Sequence, residues 1–183
     1  MRKNQEIKNR DLVVLVNEQD EELGLMEKME AHQLGLLHRA FSVFIFNKEG
    51  KILIQRRAAN KYHGALLWTN TCCSHQQLDE TTMQAAKERL MAEMGLECPI
   101  FEVYKFQYKE YVENNLIEHE LDTVMVGYSD VDPIINPLEV ADYQWISLME
   151  LLQWMQREPD SFTIWFKIIL PKLLTTFSNI SPN

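Results

Sequence analysis

The sequence predicts an α/β fold in which one mixed β-sheet is packed between helices in a single domain. The 183 residues, 46% of them hydrophobic, suit one domain with a sizeable core. Strand-like segments occur in hairpins, with segments of helical periodicity between and after them. The chain shows no repeats or linkers. We expect an N-terminal extension over residues 1–10, the domain over 11–175 and a C-terminal tail over 176–183.

The first part of the chain predicts a strand followed by a hairpin. Residues 11–17, DLVVLVN, predict a short strand, and the polar NEQDEELG after them predicts a turn. Residues 25–34 predict a short helix or an irregular segment. RAFSVFIFN at 39–47 predicts a strand, NKEG has turn chemistry, and KILIQRR at 51–57 predicts the returning strand of a hairpin.

The middle of the chain predicts the clearest helix. A loop over 58–65 and an extended segment over 66–75 precede it. Within residues 80–94, apolar side chains recur at steps of three and four: Met83, Ala86, Leu90 and Met94. Gly95 stands where a helix C-cap is expected. This segment therefore predicts an amphipathic helix that ends at a glycine.

The last part of the chain predicts three strands and two amphipathic helices. The strands cover residues 101–112, 116–129 and 141–147, with the loop SDVDPIINP between the second and the third. The helices cover residues 148–156 and 161–174. Pro171 is expected to kink or end the second helix, because proline removes a backbone donor from the helix interior.

Charge and cysteine content exclude several classes of protein. A net charge of −9 argues against broad binding of nucleic acid or anionic membranes, although a local basic pocket remains compatible with it. Three cysteines, Cys72, Cys73 and Cys98, are too few for a disulfide scaffold and suit a reducing cytosol. The apolar run from Leu12 to Val16 is too short for a signal peptide. We expect a cytoplasmic protein with neither nucleic acid nor membrane as a partner.

The stretch IEHELD, residues 117–122, contains two carboxylates in a predicted strand. Glu118 and Glu120 point to the same face because strand side chains alternate. Two like charges bracketed by apolar residues are costly unless something positive neutralises them. Histidine is one candidate, and His75 shares a face with Cys73 two residues before it. A lone histidine is more often a surface or satisfied core residue, and Cys73 alone suits a small core position, so spacing alone leaves both interpretations open.

A second pattern surrounds the predicted helix and includes Glu80, Leu90, Glu93, Gly95 and Leu96. At these five positions it resembles the Nudix box, a loop–helix–loop that places glutamates on a diphosphate-bound metal. Four positions depart from it: Ser74, Glu88, Arg89 and Ala92. The helix thus lacks two carboxylates that a Nudix hydrolase needs to hold its metals and has a cation at one of them. Arg89 and Glu93 also suit an ordinary i, i+4 ion pair on a solvated face.

Six further segments have a recognisable sequence and order: EKMEAHQLGLLHRAFS, RRAANK, WTNTCCSH, EHE, DYQW and SFTIW. Together they resemble the type 1 isopentenyl-diphosphate isomerases, which have the Nudix fold and move a double bond without hydrolysing the diphosphate. The resemblance covers the chain from about Leu12 to Trp165. No single motif decides it, but the degenerate box together with Cys73, His75 and the paired glutamates is specific.

The resemblance implies a metal site with five protein ligands: His32, His38, His75, Glu118 and Glu120. His119 would point to the other face of the strand and is not a ligand. Five protein ligands imply a near-octahedral site with one open position. Mixed imidazole and carboxylate donors suit manganese, magnesium or zinc, and the sequence does not choose among them.

The resemblance also assigns the catalytic groups. It places Cys73 on one face of the substrate and Glu120, helped by Tyr108, on the other, with the ring of Trp165 stabilising positive charge. The simpler explanation of Trp165 is core packing on an amphipathic helix.

The resemblance further implies that basic residues bind the substrate's diphosphate: Lys28, Arg57, Lys61 and Arg89. Glu93 would hold the Mg²⁺ that accompanies the diphosphate. Ordinary surface charge is the simpler explanation of Lys28, Arg57 and Lys61.

Two other functions remain as alternatives. A Nudix hydrolase of a nucleoside or other diphosphate would need the full carboxylate set of the box and has no use for Cys73. A catalytically inactive Nudix-like binding module would not explain why acid, base and metal ligands all occur in one sequence. The resemblance therefore favours isomerisation of isopentenyl diphosphate to dimethylallyl diphosphate.

Overall fold

The computed structural model describes residues 10–180, which form one mixed sheet of nine strands and four helices. The strands are β1 (Leu12–Val16), β2 (Glu22–Glu27), β3 (His38–Phe46), β4 (Ile52–Arg57), β5 (Trp68–Thr69), β6 (Cys72–Ser74), β7 (Ile100–Val112), β8 (Leu116–Tyr128) and β9 (Val140–Ile146). The helices are α1 (Lys28–Leu34), α2 (Thr82–Met94), α3 (Leu148–Arg157) and α4 (Ile164–Ile180).

Strand β3 lies at the centre of the sheet. All its residues except Arg39 are buried, as its nearly continuous apolar sequence predicts. It pairs antiparallel with β1, β4 and β6, and parallel with β8 from His38 opposite Glu120 to Phe46 opposite Tyr128. A parallel pair needs a long crossover, and the chain between β3 and β8 includes α2 and β7. The predicted mixed sheet is confirmed.

Alternating residues of β3 build two separate cores. Phe44 packs with Phe166 and other apolar residues of α4 on one face of the sheet. Val43 packs with Leu90 and other apolar residues of α2 on the opposite face. Because successive side chains of a strand point to opposite faces, one strand supports helices on both sides. The sheet is therefore packed between helices, as predicted.

Helix α2 begins and ends at the residues that local chemistry favours. Thr81 and Gln84 form a capping box at its N-terminus. Gly95 adopts φ 64° at the C-cap, and a Cβ there would lie 2.7 Å from the carbonyl oxygen of Ile134. Glycine is thus required both by its backbone conformation and by the close approach of the loop before β9.

Two segments differ from the sequence prediction. The predicted turn at 17–24 contains the start of β2, which pairs with β1 through contacts such as Val13 opposite Met26. The alternation of Leu23 and Leu25 is short and interrupted by Gly24, so the polar residues before it favoured a turn. No residue of β2 is buried.

Pro171 was expected to kink or end helix α4. The helix continues through it to Ile180, so the proline does not end the helix, while the expected kink stays a prediction. Pro171 lies on the exposed side, and the fully buried Leu173 continues the apolar stripe beyond it. The tail predicted from residue 176 begins within this helix, and the domain limits 11–175 stay a prediction. Residues 1–9 of the predicted extension lie outside the described residues.

Candidate active site

The paired glutamates of β8 lie on one buried face, beside histidines. Glu118 and Glu120 are 3% and 8% exposed. His32 Nε2 lies 3.4 Å from a Glu118 oxygen, and His75 Nε2 lies 2.9 Å from a Glu120 oxygen. His38 Nε2 lies 3.8 Å from the same Glu120 oxygen. The five residues predicted to hold a metal are therefore neighbours, and we call them the histidine–glutamate cluster.

The sheet register explains why these residues meet. The parallel pairing of β3 with β8 sets His38 directly beside Glu120. Strand β6 pairs antiparallel with β3, Ser74 lying opposite Phe41, so that His75 immediately after it reaches the same end of β3. Helix α1 contributes His32 and ends at Gly35, where a Cβ would lie 2.9 Å from Ile117 Cδ1. The cluster thus depends on long-range pairing and on one tight helix end.

Hydrogen bonds orient two of the imidazoles. His32 Nδ1 lies 2.7 Å from the carbonyl oxygen of Lys28, and His38 Nδ1 lies 2.8 Å from that of Leu36. A carbonyl only accepts, so each Nδ1 carries the proton and each Nε2 carries the lone pair. Neither Nε2 has a hydrogen-bond partner within residues 10–180, although both are buried.

This donor set fits a divalent cation. Ligand atoms of His32, His38, His75 and Glu120 all lie within 4.8 Å of one another. Glu118 belongs to a second group of the same kind, formed with His32 and His63. Buried imidazole lone pairs beside carboxylates are the donors that transition metals and zinc use. His119 lies on the other face, with Nδ1 2.8 Å from the carbonyl oxygen of Gly35, as the strand alternation predicts.

The histidines and glutamates of the cluster differ in protonation state, because burial and neighbouring groups shift their pKa values in different directions. Burial lowers the pKa of His38 to about 4 and that of His75 well below its usual range, so both imidazoles are neutral. Burial and the nearby Glu118 raise the pKa of Glu120 well above its usual range. Burial would raise the pKa of Glu118 as well, but the neighbouring imidazoles of His32 and His63 hold it well below its usual range. Neutral imidazoles are the form that binds metal.

His63 is part of this site although the sequence did not single it out. Its Nε2 lies 2.7 Å from a Glu118 oxygen, and the side chain is almost fully buried. Its ring meets that of Trp165 edge-on at a centroid distance of 5.5 Å. A histidine inside a predicted loop carries no spacing signal, so only the fold reveals its partners.

A cavity of about 510 Å³ opens next to the cluster. Ten of the predicted site residues line it: Lys28, Arg57, Lys61, Cys73, His75, Arg89, Glu93, Glu118, Glu120 and Trp165. The other three are not among the residues that line it: His32, His38 and Tyr108. Burial raises the pKa of Cys73 to about 12, so its thiol holds a proton. The hydroxyl of Tyr108 donates to Glu120 Oε2 at 2.5 Å.

The predicted diphosphate-binding cations have partners within the chain. Arg89 Nη2 lies 2.8 Å from Glu93 and 2.8 Å from Glu139, and Lys61 contacts Glu139. Arg89 and Glu93 form the expected i, i+4 ion pair. The expectation that this pair lies on a solvated face is wrong, because both residues are buried at the cavity wall. Glu139 was not predicted either, because a single carboxylate before a strand has no distinctive pattern.

Arg57 and Lys28 differ in their surroundings. The Arg57 guanidinium donates to the carbonyl oxygens of His63 and Gly64 and lies 5.0 Å from the ring centroid of Trp165. The ring predicted to stabilise a cation thus faces a cation of the chain itself. Lys28 Nζ lies 5.2 Å from the ring centroid of Tyr62, and burial lowers its pKa.

Comparisons with known proteins agree with this architecture. The NUDIX domain family model matches residues 36–166. A structure of DR0079 from Deinococcus radiodurans superimposes with a TM-score of 0.66 at 20% identity, covering 80% of this chain and 89% of that chain, which shows the fold.

Within the described residues, no helix is long and apolar enough to cross a membrane.

Two sequence relatives have a higher sequence identity to this chain than that structural neighbour has. Isopentenyl-diphosphate Delta-isomerase 2 of Photorhabdus laumondii is 47% identical over 160 residues, covering 87% of this chain and 90% of that protein. Isopentenyl-diphosphate Delta-isomerase of Pectobacterium atrosepticum is 47% identical over 161 residues, covering 88% of this chain and 90% of that protein. This chain therefore belongs to the isopentenyl-diphosphate isomerase family, within the NUDIX-domain superfamily.

Proposed function

We propose that this chain converts isopentenyl diphosphate to dimethylallyl diphosphate. The observation that carries the proposal is that Cys73 and Glu120 line one cavity together with Arg89 and Lys61. A thiol and a carboxyl group are available for proton transfer, while cations are available for the diphosphate. Family membership supports the same reaction.

The reaction moves a double bond without changing the composition of the substrate. One proton is added to the terminal carbon of the double bond, and another is removed from the carbon on its other side. A tertiary carbocation-like species forms between the two transfers. The site must therefore supply an acid, a base and a wall that keeps water from the cation.

Cys73 and Glu120 are the acid–base pair in this proposal. The hydroxyl of Tyr108 holds one Glu120 oxygen at 2.5 Å and so fixes the direction of the carboxyl group. The Trp165 side chain, 5% exposed, forms an aromatic wall of the cavity, and its ring stabilises positive charge. A cation–π interaction in a desolvated site contributes about 2 kcal/mol.

The histidine–glutamate cluster would hold a divalent cation: manganese, magnesium or zinc. When bound, the cation supplies positive charge that lowers the proton affinity of Glu120 and fixes its carboxyl group. His32 and His38 keep their Nε2 lone pairs directed at this site through their Nδ1 hydrogen bonds. This arrangement is the carbonyl-anchored imidazole common among metal ligands.

The diphosphate would bind to the cations of the cavity, Lys28, Arg57, Lys61 and Arg89, and Glu93 would hold the Mg²⁺ that accompanies it. We place the reaction in the cytoplasm, where a reducing environment keeps the Cys73 thiol free. The structure has no disulfide at Cys72, Cys73 or Cys98.

Incubation of the purified protein with isopentenyl diphosphate and Mg²⁺ tests the proposal. Dimethylallyl diphosphate and released phosphate are measured separately, so that an isomerase and a Nudix hydrolase give different products. We expect isomerisation without phosphate release. Release of phosphate without dimethylallyl diphosphate would establish the hydrolase instead.

Variants test the assigned roles. Cys73→Ala and Glu120→Gln are each expected to lower kcat by about 10³-fold or more, because each removes one proton-transfer group. Cys98→Ala, a half-buried cysteine that does not line the cavity, is the matched control and is expected to retain activity. Strong residual turnover in either site variant, with the fold intact, would refute the assignment of that residue.

A further inference from the structure

Glu139 forms ion pairs with Lys61 and Arg89, two of the cations proposed to bind the diphosphate. Its carboxylate lies 2.8 Å from Arg89 Nη2 and contacts Lys61 Nζ. Burial opposes its ionisation, but Lys61 and Arg89 lower the pKa of Glu139 to about 2. The side chain lines the cavity and is 19% exposed. Glu139 is therefore a negative charge built into the cationic side of the site.

The backbone fixes Glu139 in this position. Its carbonyl oxygen accepts a hydrogen bond from Ala58 N at 3.0 Å, which ties it to the segment that follows Arg57. Asn136 N donates to the carbonyl oxygen of Glu93 at 2.8 Å, which ties the same loop to the end of α2. Both ends of this short loop are therefore anchored by backbone hydrogen bonds. The backbone thus holds the Glu139 carboxylate close to Lys61 and Arg89.

The charges of the cavity disfavour a free diphosphate. Arg89 contacts both Glu93 and Glu139, so its charge is already shared by two carboxylates. A diphosphate bound to Arg89 and Lys61 would place phosphate oxygens next to the Glu139 carboxylate, and like charges at such distances repel. Mg²⁺ bound to the diphosphate neutralises much of this repulsion.

We propose that Glu139 makes the cavity select the magnesium complex of the diphosphate over the free anion. The inference rests on the proposed function, because it takes Lys61 and Arg89 as the diphosphate-binding cations. Glu139 thereby acts as a specificity residue for the charge state of the substrate. It does not take part in proton transfer, since Cys73 and Glu120 perform that role.

Calorimetric titration with inorganic pyrophosphate, with and without Mg²⁺, tests the inference. Glu139→Gln keeps the size of the side chain and an oxygen that accepts from Arg89, but removes the negative charge. We expect metal-free pyrophosphate to bind the variant about tenfold more tightly than the wild type. Binding of magnesium pyrophosphate is expected to change less than about threefold, because the metal already offsets the repulsion.

Two further variants serve as controls, one for the position of the charge and one for the charge itself. Glu102→Gln removes the same charge from an exposed position of β7 and is expected to bind both forms like the wild type. Glu139→Asp keeps the charge and is expected to retain the discrimination against the free anion. An equal change of both affinities in Glu139→Gln, or no change in either, would overturn the inference.

The failure of the proposed function has a different signature. If wild-type protein binds neither free nor magnesium pyrophosphate, the diphosphate site itself is wrong, and the inference is overturned with it. If the wild type binds magnesium pyrophosphate and Glu139→Gln discriminates as the wild type does, only the role of Glu139 is wrong.

Discussion

Removal of the divalent cation from the histidine–glutamate cluster is expected to lower the melting temperature of the protein by about 5–11 °C. Without the cation, Glu118 and Glu120 share one buried face, and the Nε2 atoms of His32 and His38 have no partner within residues 10–180. Unpartnered buried polar groups and adjacent like charges both destabilise the native state.

The magnitude follows from linkage between binding and folding. A cation present at one hundred times its Kd stabilises the native state by about 2.7 kcal/mol when it does not bind the unfolded chain. For a chain of 183 residues, each kcal/mol shifts the melting temperature by about 2–4 °C. The product of these two values gives the expected shift of about 5–11 °C.

Thermal unfolding of metal-free and metal-loaded protein measures this shift, with metal content checked by elemental analysis. His38→Asn keeps a donor for the carbonyl of Leu36 but lacks the Nε2 ligand, and is expected to lose most of the shift. His119→Asn makes the same change on the opposite face of β8 and is expected to keep it. Equal melting temperatures for verified metal-free and metal-loaded wild type would refute the five-residue site.

Two further predictions concern the groups that orient the glutamates. Tyr108→Phe removes the hydroxyl that donates to Glu120, and is expected to lower kcat by about 10- to 100-fold with little change in KM, because Tyr108 does not line the cavity. Steady-state kinetics measure both, and a rise in KM alone would contradict it. His63→Phe removes the donor to Glu118 but keeps an aromatic ring, and is expected to weaken Mn²⁺ binding by about tenfold or more in competition with a chelator. An unchanged Mn²⁺ affinity would show that His63 does not orient Glu118.

Local patterns were sufficient to predict most of the elements. The strand predicted for 39–47 is β3, Ile100–Val112 and Leu116–Tyr128 are the two long strands, and α2 ends at Gly95. These predictions rest on alternation, helical spacing and turn chemistry, which neighbouring residues determine. Strand β2 was missed because its stability comes from pairing with β1 rather than from burial of its own side chains.

The neighbours within the site depend on contacts between distant parts of the chain. His38 lies beside Glu120 because β3 and β8 pair in parallel, and no local pattern specifies which strands pair or in which register. The resemblance to a family supplied these residues in advance because it carries tertiary information that composition and periodicity lack. That resemblance assigned no role to His63 or Glu139, and each has its partner on a distant segment, Glu118 and Lys61 respectively.

These two residues have a common physical origin. In the proposed function the cavity holds one divalent cation on one side and a diphosphate on the other, so charges of both signs are concentrated at its walls. Each charge in such a low-dielectric setting needs a nearby partner before any ligand arrives. His63 meets that need for Glu118, and Glu139 meets it for Lys61 and Arg89. We therefore expect such residues to influence also how tightly the site binds its cation and which form of the diphosphate it accepts.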